Sequence, residues 1–444
     1  MKFNFLKTEY QHYKQYPQNM RILLMTNLLY ALVLPILELF VGANILRQTN
    51  NSSYVVIYQL AVYTGIPFTF LLNGFLLRYV KIAHLYSLGM MMSGVAMTVM
   101  MMLPELNLLG IILIGLTMGS SYGFFWCNRD FLAISSTNDD NRNYYFSLET
   151  VFYTVTFIII PALSGLFISL GESNGWYSAR FAYITLTIAV FVLTTFSSVM
   201  VHQGDFENPR RERFVFFKFH PDWRKMLILG SLKGIAQAAI FFYPILLILT
   251  FIGNEGSLGG IISIGSLITA GFLYFIGRYS KPEHRIWIFS AGLIIYLLGG
   301  TLNTILFSAI GVFLYQMCGS LARPLLDAAY FPIQMNVIDK VSELEHRNKF
   351  AYIFNHEFGL YAGRLVGCMV FLVTAYYFSA ESALRYSLLI IAAIQVLSIP
   401  IASNLIRKMK MIKSSFPTVT NAETMDKIQG KYAKGKPLLK EVNI

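Results

Sequence analysis

Residues 315–334 read Tyr315-Gln-Met-Cys-Gly-Ser-Leu-Ala-Arg323-Pro-Leu-Leu-Asp327-Ala-Ala-Tyr330-Phe-Pro-Ile-Gln334, an apolar run with an arginine and an aspartate set four residues apart. Gln316, Ser320, Arg323, Asp327, Tyr330 and Gln334 recur every three or four positions, so on a helix they share one face. A charge facing lipid is expensive, and one inside a membrane span normally faces a bundle interior or a water-filled cavity. The stretch therefore predicts a membrane helix whose polar face lines a passage for a polar solute.

The rest of the chain supplies the other walls. Its 444 residues are 55% hydrophobic, 15% aromatic and only 13% charged, with a mean hydropathy of +0.55, which excludes an ordinary soluble globule. A helix needs roughly 20 apolar residues to cross a hydrocarbon core of about 30 Å. Twelve segments qualify, near 21–46, 54–77, 83–104, 107–134, 144–170, 179–202, 225–252, 257–277, 286–307, 309–338, 349–378 and 383–406. The fold class expected is an all-α polytopic membrane protein. Residues 1–20 are polar and aromatic, so the first span rather than a cleaved leader would direct insertion. Cys127, Cys318 and Cys368 fall within spans without metal-ligand spacing, and packing is their expected role.

The net charge of +12 would suit a nucleic-acid partner, but its positions point to topology instead. Of 35 Lys and Arg residues, 28 fall in the segments of one side and only Arg47, Arg180 and Arg385 in those of the other. Positive residues are retained in the cytoplasm during insertion, so both termini are expected inside, in a multi-pass cell (inner) membrane protein. The loops at Gln48–Ser53, Glu172–Tyr177 and Asn254–Ser257 then lie outside. The expected organisation is a cytoplasmic tail at 1–20, a six-helix bundle at 21–202, a linker at 203–224, a second bundle at 225–407 and a basic tail at 408–444. The linker, QGDFENPRRERFVFFKFHPDWR, is basic and aromatic, which suggests an interfacial amphipathic stretch through Phe214–Phe219.

The two halves carry similar landmarks a little over 200 residues apart. Gly74-Phe-Leu-Leu-Arg78-Tyr-Val-Lys81 joins spans two and three as Gly277-Arg-Tyr-Ser-Lys281-Pro-Glu-His-Arg285 joins spans eight and nine; Asn141-Arg142-Asn143 opens span five as His346-Arg347-Asn348 opens span eleven. Duplicated halves with a site at their interface are a recurring transporter plan. Over about residues 20–407 the chain resembles the major facilitator superfamily, whose signature loop after span two is matched by Gly74, Arg78 and Lys81. The resemblance implies two pseudo-symmetric six-helix bundles and a gating role for Arg78 and Lys81. It also implies a cavity lined by spans one, four, seven and ten, flanked by two, five, eight and eleven, with three, six, nine and twelve towards lipid.

Nine charges lie well inside the spans, and all fall in the lining and flanking sets: Glu38, Arg129, Asp130, Glu149, Lys233, Arg323, Asp327, Glu357 and Arg364. Arg323 and Arg364 fall near the midplane, where a guanidinium offers bidentate hydrogen bonds to an anionic solute. Each also has a carboxylate on its own face, Asp327 and Glu357, so structural ion pairs are the competing reading. Lys233 and Gln237 share a face of span seven, and together with Tyr361 and Trp126 they complete the candidate substrate set. Lys233 could instead pair with Asp130 across the halves. Glu38 stands without a basic neighbour in its span and, with Asp327 and Glu357, is a candidate for carrying a coupling proton as the cavity alternately wets. Arg129 and Asp130 are candidate gate residues, and Glu149 is expected to reach water. The function read from this pattern is secondary active transport of a small organic solute, anionic or zwitterionic, driven by protons or another coupling ion. The alternative is efflux of lipophilic or cationic compounds; a non-transporting sensor and a membrane enzyme complete the field. Asn355-His356-Glu357-Phe358 opens like a zinc-protease helix, but the position for the second histidine is Leu360. No cofactor, metal or nucleic-acid partner is expected, and the chain should act in lipid as a monomer.

Overall fold

The computed structural model describes residues 13–103, 105–138, 141–208, 215–279 and 282–415. Twelve of its helices are long and apolar enough to cross a membrane. They are α1 Gln18–Thr49, α2 Ser52–Leu76, α3 Ile82–Met102, α4 Leu108–Ser135, α5 Arg142–Ser173, α6 Ala179–Val201, α7 Pro221–Phe251, α8 Glu255–Tyr279, α9 Arg285–Leu306, α10 Ala309–Glu345, α11 Lys349–Tyr377 and α12 Ala380–Gln395 with its continuation Ser398–Ser415. Each expected span is present. The first and last described residues lie at one end of the bundle, the terminal end; the α1–α2 turn lies at the other, the Arg47 end.

Three local features depart from plain helices, each with a cause in the sequence. Pro35 lacks an N–H and its ring displaces the carbonyl a turn back; the chain responds with a π-turn over Ile36–Phe40. That turn holds Glu38. In α12 the helix breaks after Gln395 and restarts at Ser398, so that Pro400 falls in a first turn, where its missing N–H has no bond to lose. The segment expected as an interfacial stretch is not helical over 215–220. Phe216 and Phe219 pack there against the core around Trp223 and Tyr352, and the Arg347 guanidinium lies 4.3 Å over the Phe216 ring. Phe216 and Phe219 thus serve the protein's own core, while Phe217 between them is exposed; Phe214 and residues 209–213 lie outside the described residues, as do 1–12 and 416–444.

Within lipid, burying an apolar side chain between helices gains little over leaving it in the acyl chains, so close backbone packing and polar bonds hold the bundle together. Gly65 and Gly119 bring α2 against α4, and Gly234 and Gly363 bring α7 against α11, with each Cα hydrogen facing the partner's backbone. Gly299 and Gly300 likewise allow a close approach of α9 to its neighbours, against Cys318 of α10 and Leu388 of α12. The first six helices pack mainly among themselves, the last six likewise. The halves meet along α5–α8 and α2–α11, with α1 and α2 touching α7. Lipid-facing apolar rows, such as Leu88, Met91, Val95 and Val99 on α3, are exposed from the bundle.

Candidate functional site

Between the halves lies a cavity of about 420 Å³, within the usual range for a small-molecule site. From the first half it takes Glu38 and three positions of α5, Tyr153, Thr154 and Phe157. The second half supplies Lys233, Gln237 and Phe241 from α7, Ser266 and Thr269 from α8, Phe289 and Leu293 from α9, and Arg323, Asp327 and Tyr330 from α10. Gln395 and Ser398 close one side at the break in α12. A side chamber of about 110 Å³ adds Tyr296, Tyr315 and Gln316 and again includes Glu38 and Arg323. Two expectations are corrected here: α4 contributes no lining residue, whereas α9 and α12, expected to face lipid, do.

The charges divide into paired and unpaired sets. Lys233 donates to Asp327 at 2.7 Å, with its ammonium 4.1 Å over the Tyr330 ring and 4.2 Å over Phe331. Asp327 therefore pairs with Lys233 and not with Arg323, its neighbour one turn away, and Lys233 does not pair with Asp130, which is held by Arg129. Tyr330 Oη lies 2.6 Å from His356 Nε2, which fixes the aromatic floor under the lysine. Among the described residues, Glu38 and Arg323 have neither an ion pair nor a hydrogen bond, although both face the cavity, from opposite halves. The hydroxyls of Tyr153 in the cavity wall and of Tyr296 in the side chamber also lack hydrogen-bond partners.

The remaining candidates stand elsewhere. Arg364 lies outside the cavity: its Nε and Nη2 donate to Gln237 Oε1 at 3.2 and 3.0 Å, its Nη1 approaches Glu357 at 3.5 Å, and Tyr63 lies beneath it at 5.2 Å. Tyr361 bonds Thr64 across the halves at 3.3 Å. Trp126 packs beside Phe70, Cys127 and Phe354, where α2 and α4 meet α11. Arg129 reaches Asp130 at 2.5 Å and Glu149 through Nε at 2.7 Å. Glu149 does not reach water as expected; its side chain is 3% exposed, and it also accepts from Asn27 Nδ2 at 2.6 Å. This network, extended by Tyr86 to Asn27 at 2.6 Å, ties α1, α3, α4 and α5 inside one half. Arg78 and Lys81 are exposed at the terminal end and form no ion pair among the described residues. The loop that holds them is braced by Asn208, which accepts from the Ile82 N–H at 2.7 Å and donates to the Leu77 and Val80 carbonyls at 2.9 Å each.

The two ends of the cavity differ. At the Arg47 end the halves are clasped: Gly42 of α1 receives Ile245 of α7, and Gly165 and Gly259 let α5 and α8 meet backbone to backbone. The Ala162 N–H donates to Ser263 Oγ across the same seam at 3.0 Å. An ion cluster missed at the sequence level caps it: Arg47 of α1, Glu172 of α5, and Glu255 of α8. Its members sit beside the loops, where charge is ordinary, so no sequence signal sets them apart. At the terminal end the halves touch along α2 and α11, through Phe70 and Phe354 and through Phe68 and Tyr361. Among the described residues no ion pair crosses there.

No family model matches the chain. An uncharacterized protein of Bacillus subtilis (strain 168), YqgE, is 24% identical over 368 residues, covering 82% of this chain and 84% of the relative. An uncharacterized protein in the sodM 3′ region of Geobacillus stearothermophilus is 24% identical over 156 residues, 35% of this chain and 73% of its own length. Among solved structures, the nucleoside transporter NupG superposes with a TM-score of 0.61 at 14% identity, covering 88% of this chain and 99% of its own. A bacterial homolog of the human lysosomal transporter Spinster, inward-facing and unoccupied, gives 0.63 at 12% identity over 89% and 98%. A bacterial metal transporter gives 0.60 at 13% identity over 88% and 98%. These likenesses establish the twelve-helix, two-bundle fold.

Proposed function

We propose that this chain is a secondary active transporter of the major facilitator type, moving a small anionic or zwitterionic organic solute by alternating access with proton coupling. The observation that carries the reading is the cavity between the halves: clasped at the Arg47 end, unclasped by ion pairs at the terminal end, and holding two unpaired opposite charges, Glu38 and Arg323. A charge in a low-dielectric cavity without a partner is unfavourable unless a ligand, proton or water compensates it. Arg323 supplies the fork for a carboxylate or phosphate. Glu38 supplies the protonatable group; Asp327 and Glu357 are engaged by Lys233 and Arg364 and serve it less well. The excess of positive residues at the terminal end supports cytoplasmic termini in a cell membrane, which would make the clasped Arg47 end the outer one.

Efflux of cationic or lipophilic compounds is the second reading, favoured by the aromatic walls and by Glu38 as a carboxylate ligand. The test is transport in proteoliposomes under an imposed pH gradient, with organic anions, zwitterions and lipophilic cations as solutes. Glu38→Gln is expected to abolish uphill movement while leaving counterflow exchange largely intact, because only the driving ion is lost. Equal loss of both activities would make Glu38 a substrate ligand and favour the second reading.

A further inference from the structure

Arg47 sits between two carboxylates that belong to different halves of the molecule. Its Nη1 and Nη2 donate to Glu172 Oε1 and Oε2 at 2.8 Å each; its Nε and Nη2 donate to Glu255 Oε1 and Oε2 at 2.8 and 2.9 Å. Both pairs are bidentate, the strongest arrangement an arginine makes with a carboxylate. Glu172 is on α5, in the same half as Arg47, and its side chain is 45% exposed. Glu255 is on α8, in the other half, with a side chain only 2% exposed, and it also accepts from Tyr183 Oη of α6 at 3.0 Å. One carboxylate therefore travels with Arg47 whenever the halves separate, and the other leaves it.

From this we infer that Arg47, Glu172 and Glu255 form a releasable latch that holds the Arg47 end shut, with Glu172 setting how easily it opens. The inference rests on the alternating-access reading and adds to it the residues that gate one end. Separation at this end breaks the bonds from Arg47 and Tyr183 to Glu255, a carboxylate that then becomes solvated. Arg47 is not stranded, because Glu172 retains it. Sharing the guanidinium between two acids also weakens its hold on each, since both compete for Nη2 and both add negative charge around one cation. Glu255 is the closing partner and Glu172 the releasing one, so their removal acts in opposite directions. The glycine seam beneath makes closure tight: the Gly165 Cα faces the Glu255 carbonyl, and the Gly259 Cα faces that of Pro161.

The experiment uses the full chain with Cys127, Cys318 and Cys368 replaced by Ala and a reporter Ser266→Cys in the cavity wall. The labelling rate by a membrane-impermeant maleimide is measured from each side of the membrane. Glu255→Gln and Arg47→Gln are expected to raise labelling from the Arg47 end by at least about tenfold, the scale of losing charge-assisted hydrogen bonds. Glu172→Gln is expected to lower it below the unsubstituted rate. Should Glu255→Gln fail to fold, Tyr183→Phe removes a single bond to the same carboxylate and should give a smaller rise of the same sign. Unchanged labelling in Glu255→Gln, or a rise in Glu172→Gln as well, overturns the latch. A separate variant tests the underlying reading. Ser169 of α5 and Gly256 of α8 face each other across this seam, so oxidising Ser169→Cys/Gly256→Cys should stop transport and reduction should restore it. Transport that continues through the oxidised lock would sink alternating access, whatever the labelling shows.

Discussion

At the scale of single residues, the two midspan arginines look alike in sequence and stand in different settings. Arg323 faces the cavity without a partner, whereas Arg364 spends its fork on Gln237 and meets Glu357 and Tyr63. Replacing arginine by lysine keeps the charge and removes the fork, so the same substitution should do different things at the two sites. Arg323→Lys is expected to weaken binding of an anionic solute by about 1.5–3 kcal/mol, the worth of a hydrogen bond to a charged group, with little change in melting temperature. Arg364→Lys should leave affinity unchanged and lower the melting temperature, because a lysine cannot bond Gln237 twice while reaching Glu357. Paired affinity and thermal-stability measurements decide the matter. An affinity loss in Arg364→Lys alone would reverse the assignment. Which arginine is free was not legible in the sequence, since both have a carboxylate on the same helical face, and the decision depends on α7, which supplies Lys233 to Asp327 and Gln237 to Arg364.

At the scale of elements, proline and glycine positions carry most of the information. Pro35 signals a disturbance in α1, but not that the answer is a π-turn aiming Glu38 into the cavity. Glycines are more directly readable, because a missing Cβ inside an apolar helix usually marks where another helix comes close. A methyl group at Gly119 would drive into the Val62 carbonyl of α2, and neither backbone can give way without parting the helices. Gly119→Ala is therefore expected to destabilise the protein by about 1–3 kcal/mol, the usual cost of overpacking. Gly271, with open space around it, provides the contrast: Gly271→Ala should be neutral or mildly stabilising. Thermal unfolding in detergent compares the two, and equal stability would mean that the α2–α4 contact is looser than described.

At the scale of the whole molecule, the halves share a topology but not a division of labour. The first half ties Glu149, Arg129 and Asp130 into one network with Asn27 and leaves Glu38 outside it, and the second half lines most of the cavity. Orientation in the membrane is expected from charge alone. Lys218→Cys in the linker should react with an impermeant maleimide only after cells are permeabilised, and Arg180→Cys in the first turn of α6 should react in intact cells. The reverse pattern would invert the topology and place the clasped Arg47 end on the cytoplasmic side.

The sequence by itself determined the twelve spans, their grouping into two halves and the confinement of charge to particular helices. Those properties follow from local apolar length and from the cost of exposing a charge to lipid, and each can be read one segment at a time. Only the tertiary structure decided which charges are paired and which face the cavity without an ion pair. It also decided that α9 and α12 reach the cavity while α4 does not, and that Arg47, Glu172 and Glu255 meet at all. The physical reason is that an ion pair between helices depends on how two bundles dock, and the three members of this cluster come from positions 47, 172 and 255. Helical periodicity relates neighbours on one helix and is silent about partners so far apart in the chain.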